Sequence, residues 1–119
     1  MKTFDFRLTL KELVLLLVIA LSPLSAYGGD LTGTIASILY WQPTPNIVFI
    51  NINGTTTGAP PCATQTYRMT IDISTPAGKA AHTSLLASKL MNPAASVALG
   101  GSNTCTLYGD TEDMKYIYL

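Results

Sequence analysis

Lys2, Arg7 and Lys11 stand ahead of an unbroken apolar run from Leu13 to Leu21, which gives way to Ser22, Pro23 and the small residues Ser25 and Ala26. A basic start, a short apolar stretch and a small-residue end are the marks of a secretory signal peptide. The run is about nine residues and a hydrocarbon core needs about twenty, so no stable membrane insertion is expected from it. Residues 1–26 are read as a cleaved signal and residues 27–119 as one exported domain, periplasmic or secreted. That reading sets both the size of the fold and the redox chemistry open to it.

A domain of about ninety residues buries a small core, and exported domains of that size commonly rely on a covalent staple. Both cysteines of the chain, Cys62 and Cys105, lie in the exported part. Paired in an oxidising compartment, they would close a long loop and restrict the unfolded chain by on the order of 4 kcal/mol. Metal ligation is the competing use, but it favours a CxxC spacing or several histidines, and the chain has one histidine and no such spacing. No metal and no cofactor is expected.

The chain is 48% hydrophobic and 12% charged, which excludes a disordered tail. Loss of residues 1–26 removes three basic and two acidic side chains and leaves a net charge of about −1, so charge nominates no partner and speaks against nucleic acid.

Residues 33–41 are rich in β-branched and aromatic side chains and are halted by Gln42, Pro43, Thr44 and Pro45, which predicts a first strand. Residues 47–52 are apolar on both alternating faces and end at Asn53 and Gly54, predicting a buried second strand and a long turn to Cys62. Residues 66–73 alternate, with Tyr67, Met69, Ile71 and Ile73 on one side. The period then changes: Thr75 is a cap, Pro76 suits the first helical position, and Asn92 and Pro93 end a helix over 76–91. Residues 95–99, 105–108 and 114–119 read as three short strands separated by glycine-containing turns. The order β-β-β-α-β-β, with a possible extra short strand, predicts a mainly β (α+β) fold, a small OB-like partly closed barrel with the helix plugging one end.

At 100° per residue, Ala77, Ala80, Ala81, Ser84, Leu85, Ala87, Ser88 and Met91 fall on one broad face of that helix, and Leu86 and Leu90 form a stripe nearly opposite. One sheet covers one face. Leu86 and Leu90 are therefore expected either to curl under a neighbouring loop or to meet another subunit, giving a homo-oligomer.

The leader, the element order, one disulfide and the stretch Ile71 to Ala80 running into Ser84 to Ser88 resemble small exported bacterial proteins related to the binding subunits of AB5 toxins, the subtilase-cytotoxin type in particular. The likeness spans most of residues 30–119. It implies a non-catalytic, glycan-binding subunit of a ring-shaped assembly.

The side chains themselves offer little catalytic chemistry. His82 is the sole candidate base, and its neighbours Thr83 and Ser84 do not face it on a helix, so it is expected on the helix surface with no catalytic role. Asp110, Glu112 and Asp113 cluster without calcium-loop spacing and read as a solvated acidic turn. Asn53, Gly54 and Thr55 match a glycosylation acceptor but read as a turn. The suggestive group is aromatic: Tyr40 and Trp41 beside Gln42 and Asn46, with Tyr108, Tyr116 and Tyr118 later in the chain. Flat rings beside amides and hydroxyls suit a sugar, whose apolar face stacks while its hydroxyls are fixed without charge. Alternate strand residues point opposite ways, so Tyr40 and Trp41 can share one site only where the chain turns between them. The expected function is an exported, non-catalytic binding module for a glycan, acting through the Trp41 loop and the turn at 53–61. The alternative is a stand-alone structural or inhibitor protein that binds a protein partner by a strand edge.

Overall fold

The computed structural model describes residues 28–119, and the expected signal peptide and its cleavage point lie outside them. Five strands and one helix follow in the order β1 (Asp30–Tyr40), β2 (Ile47–Asn53), β3 (Arg68–Asp72), α1 (Pro76–Met91), β4 (Ser96–Gly101) and β5 (Glu112–Tyr118). The strands form one mainly β sheet that closes on itself in the ring order β1-β2-β3-β5-β4, the arrangement of the expected OB-like barrel. Neighbours are antiparallel except β3 and β5, which are parallel and share two residue pairs, Met69 with Glu112 and Thr70 with Asp113. Closure therefore rests on a seam two residues long.

The ring encloses Leu31 and Ile35 of β1, Val48, Ile50 and Ile52 of β2, Met69 and Ile71 of β3, and Val97 and Leu99 of β4, with Leu85 of α1 inserted from one side. Spacing of two along each strand puts these side chains on the inner face. At about 1.5–3 kcal/mol for each fully buried large aliphatic side chain, this cluster is the main driving term of the fold. The disulfide is formed: Cys62, in the β2–β3 loop, is bonded to Cys105, in the β4–β5 loop, with Cα atoms 6.2 Å apart.

Residues 105–108 do not form the expected strand. They belong to the β4–β5 loop, where Tyr108 makes a single bridge to Thr111. Their hydroxyls and amides are spent on Asp113 instead of on a neighbouring strand.

Helix α1 has the expected bounds. Thr75 caps it, its Oγ1 accepting from the Gly78 N–H at 3.0 Å, and Pro76 opens the first turn. Its orientation differs from the hydropathy reading by roughly a quarter of a turn. Leu85 is fully buried, and Gly78, Ala81, His82, Leu86 and Lys89 flank it half-buried, whereas Ala77, Ala80, Ala87, Leu90 and Met91 are exposed. Leu86 is thus partly covered by its own barrel, and Met91 leaves the face on which its spacing put it. The physical reason is that two polar side chains point inward because the barrel offers them partners. His82 meets the Tyr40 hydroxyl. Lys89 donates through Nζ to the carbonyls of Ile35 at 3.2 Å and Ala36 at 3.4 Å.

Those carbonyls sit where β1 slips register against β2, between Ile35 and Ser37. A bulge leaves one residue out of the ladder, and the ammonium supplies the donor that the ladder does not. The Lys89 stem spans from α1 to β1 and fixes the helix along the strand. Replacing Lys89 with Met keeps the stem and removes the donors. Urea unfolding should then show a loss of about 1–3 kcal/mol, the range for leaving a partly buried backbone acceptor unpaired.

Candidate functional site

The β1–β2 loop turns as soon as the strand ends. The Thr44 N–H donates to the Trp41 carbonyl at 2.9 Å, and the Ile47 N–H donates to the Thr44 carbonyl at 3.0 Å. Pro43 and Pro45 stiffen both turns by fixing φ. The bend swings Trp41 out of the strand's alternation, so that Tyr40 and Trp41 line one groove with Gln42, Pro45 and Ile47, of about 360 Å³. Tyr40 is 55% and Trp41 48% exposed. Asn46 lies outside the lining, its carbonyl accepting from the Ile73 N–H at 2.9 Å. The turn at 53–61 is also elsewhere: Thr57 bridges Asp30 at the start of β1, whereas the groove follows its end. Tyr108, Tyr116 and Tyr118 take no part in the groove. Tyr108 packs edge-on against Phe49 with centroids 5.0 Å apart, and Tyr116 donates to Asp30 and meets Tyr118 edge-on.

His82 of α1 contacts Tyr40, one of the residues that line the groove. Its Nε2 is 2.6 Å from the Tyr40 hydroxyl, and the two rings meet edge to face, 5.5 Å apart and 77° inclined. Sequence reasoning placed His82 on the helix surface, and there it meets a partner on β1 that the sequence did not reveal.

Of the residues read as a solvated acidic turn, Glu112 and Asp113 are instead built into the barrel, and Asp110 stays in the loop before β5 with its side chain 40% exposed. Glu112 is 1% exposed, and its carboxylate accepts from the backbone N–H of Gly29 at 2.9 Å and of Asn103 at 2.9 Å. Side chains are barred from this cradle: a Cβ at Gly101 would stand 2.1 Å from the Glu112 carboxyl carbon. Asp113 accepts from the hydroxyls of Thr104 and Thr106 and from the N–H groups of Thr106 and Leu107. Burial pushes the Asp113 carboxyl toward neutrality. The donors from Thr106, Leu107 and Thr104 outweigh it and hold its pKa below the ordinary aspartate value. Asp110 takes the Arg68 guanidinium at 3.1 Å, and Arg68 lies over the Phe49 ring at 4.7 Å from its centroid. The pKa of Asp110 is held low mainly by the Thr111 hydroxyl. All three acids are thus committed to the protein's own groups. Among the described residues, no cluster of three or more histidine, cysteine or acidic side chains is arranged to hold a metal.

A second, larger groove of about 530 Å³ opens where β3 and β5 diverge below their short seam. Ile71 and Asp72 line one side and Met114, Lys115, Tyr116 and Ile117 the other, under the small residues of α1.

Set against known proteins, the chain matches no family model, no curated protein and no solved structure.

The Asp113 network makes a prediction for acid stability. A carboxyl whose folded pKa lies below its unfolded value near 3.9 stabilises fully above that value and loses the contribution as pH falls through the folded pKa. Urea midpoints measured from neutral pH down to about pH 2.5 should fall below about pH 4. In Asp113→Asn the midpoint should be lower at neutral pH and the acid decline shallower.

Proposed function

We propose that the protein is an exported, non-catalytic binding module whose Tyr40–Trp41 groove takes a saccharide. The carrying observation is the groove itself, in which two half-exposed aromatic rings and the Gln42 amide share one concave surface. A ring face stacks on the C–H side of a sugar, an amide answers its hydroxyls, and the loop from Trp41 to Asn46 carries no charge that would demand an ionic ligand. The β1–β2 loop is also one of the places where OB barrels hold oligosaccharides and oligonucleotides. The formed disulfide is compatible with export, and no helix among the described residues is long and apolar enough to cross a membrane. The kinship with AB5-type binding subunits stays part of this proposal, supported by the element order and the ring closure.

The companion proposal is self-association through the end of α1, where Leu90 is 79% and Met91 85% exposed side by side. A second reading, a protein-binding module, is favoured by the divergence of β3 and β5. Beyond Asp113, β5 is paired on one side with β4 and faces the larger groove on the other, an edge suited to an added strand.

Trp41 is the chain's one tryptophan, so its emission reports on the groove alone. An array of immobilised neutral and acidic oligosaccharides should retain the protein. The retained saccharide should shift Trp41 emission, and Trp41→Ala should weaken binding by about tenfold or more, matching about 1–3 kcal/mol for a stacked ring. An unchanged emission with no retained saccharide would defeat the reading. Light scattering should show an oligomer that Leu90→Lys with Met91→Lys converts to a folded monomer; a monomeric unmodified protein at tens of micromolar ends the association claim.

A further inference from the structure

We infer that His82 is a positioning residue of the Tyr40–Trp41 groove, and that its protonation reverses the hydrogen-bond polarity of the Tyr40 hydroxyl and so weakens binding in acid. The inference rests on the saccharide reading of the groove for its effect on ligand, but not for its effect on the protein.

The geometry leaves the phenol one partner on the protein. Its oxygen lies 2.6 Å from His82 Nε2, and it carries one proton to share. With the imidazole neutral, the phenol is the better donor and the unprotonated ring nitrogen the better acceptor, so Tyr40 donates to Nε2. The phenol oxygen then keeps lone pairs with which it can accept from a hydroxyl of a ligand lying against the Tyr40 ring. Once the imidazole takes a proton from solvent, both of its nitrogens are donors. Nε2–H now donates to the phenol oxygen, the phenol proton must turn outward, and the ligand hydroxyl meets a donor where it had met an acceptor. The bound arrangement is lost unless the ligand reverses its own hydrogen bonds. The new positive charge also stands at the edge of the Tyr40 ring and draws on the electron-rich face that stacks against sugar C–H groups.

The surroundings leave this switch to the pair itself. Tyr40 of β1 is the titratable group in contact with the imidazole. The loop that closes the groove, residues 41–46, has no ionisable side chain. On α1 itself, Lys79 lies one turn before His82, and Lys89 lies two turns after it with its ammonium on the β1 carbonyls. From β3, which packs on α1, comes Asp72, whose carboxylate accepts from the Ser74 N–H and hydroxyl. From β5, Lys115 and Tyr116 line the larger groove under Ala81 and Ser84 of α1, and Tyr116 donates to Asp30. Among the described residues, His82 is the hydrogen-bond partner of the Tyr40 hydroxyl.

The test uses the exported chain and needs no ligand for its first arm. Nitrogen NMR of the His82 ring at about pH 8 should show the tautomer protonated at Nδ1, and Tyr40→Phe should shift it toward the Nε2–H form. Trp41 emission should change between about pH 8 and pH 5 in the unmodified protein and stay flat in His82→Gln, whose amide oxygen accepts from the phenol without titrating. An Nε2–H tautomer in the unmodified protein, or the same emission change in His82→Gln, overturns the inference. In the second arm, a saccharide retained on the array should bind about fivefold more weakly at the acid end, and His82→Gln should hold its affinity within about twofold across the range. A parallel decline in His82→Gln also overturns it. If no saccharide is retained at any pH, the saccharide reading fails while the first arm still decides the role of His82.

Discussion

The ring closes at two residues. Glu112 and Asp113 open β5, and they alone pair it with β3, so the same dipeptide that completes the sheet also buries two carboxylates. An unpaired buried carboxylate is costly, and here the cost is offset by backbone N–H groups from Gly29, just before β1, and from the β4–β5 loop. Strand pairing and charge satisfaction are thereby one event. A shift of β5 by one residue would turn both carboxylates to the wrong faces and break seam and cradle together. The disulfide between Cys62 and Cys105 sits in the loops at this end and holds the donors of the 104–107 segment close to Asp113.

What the sequence made legible follows from how local each signal is. The helix bounds could be read because Thr75, Pro76, Asn92 and Pro93 act on the backbone beside them. The strands could be read because spacing of two decides a face without regard to partner, and the disulfide because the chain holds two cysteines and the expected leader pointed to an oxidising compartment. The rotation of α1 could not be read. A hydropathy pattern counts His82 and Lys89 as surface residues, and what turns them toward the sheet is a phenol and a pair of bulged carbonyls on β1, 42 and 53–54 residues earlier. The acidic cluster escaped for the same reason, since the donors of Glu112 come from Gly29 and Asn103. The segment 105–108 misled in the opposite sense: its β-forming residues face a carboxylate instead of a strand.

Of the candidate site, the composition was legible and the assembly was not. Aromatic and amide residues near Trp41 gave the chemistry, and Gln42, Pro43, Thr44 and Pro45 gave a turn. That the turn begins at Trp41 itself, and so puts Tyr40 and Trp41 on one surface, depends on the hydrogen bond from Thr44 back to Trp41. Asn46 shows the limit of proximity in sequence. It is on the same loop, yet its carbonyl serves Ile73 at the entry to the helix, and the groove is lined by the residues on either side of it.

The seam between β3 and β5 also governs the order in which the molecule can be made. β1 can pair with β2 through a short hairpin, and β2 with β3 through a longer loop, as soon as they exist. Joining Met69 to Glu112 must wait for the helix, for β4 and for the long loop after it, and contacts so distant along the chain are slow because their loop entropy is met before they give anything back. Until β5 arrives, β3 presents an open edge and the apolar interior of a half-built barrel. The interval before closure is when this chain is most exposed to pairing with a neighbour, and the brevity of the seam makes that interval end abruptly, with two residues locking into place.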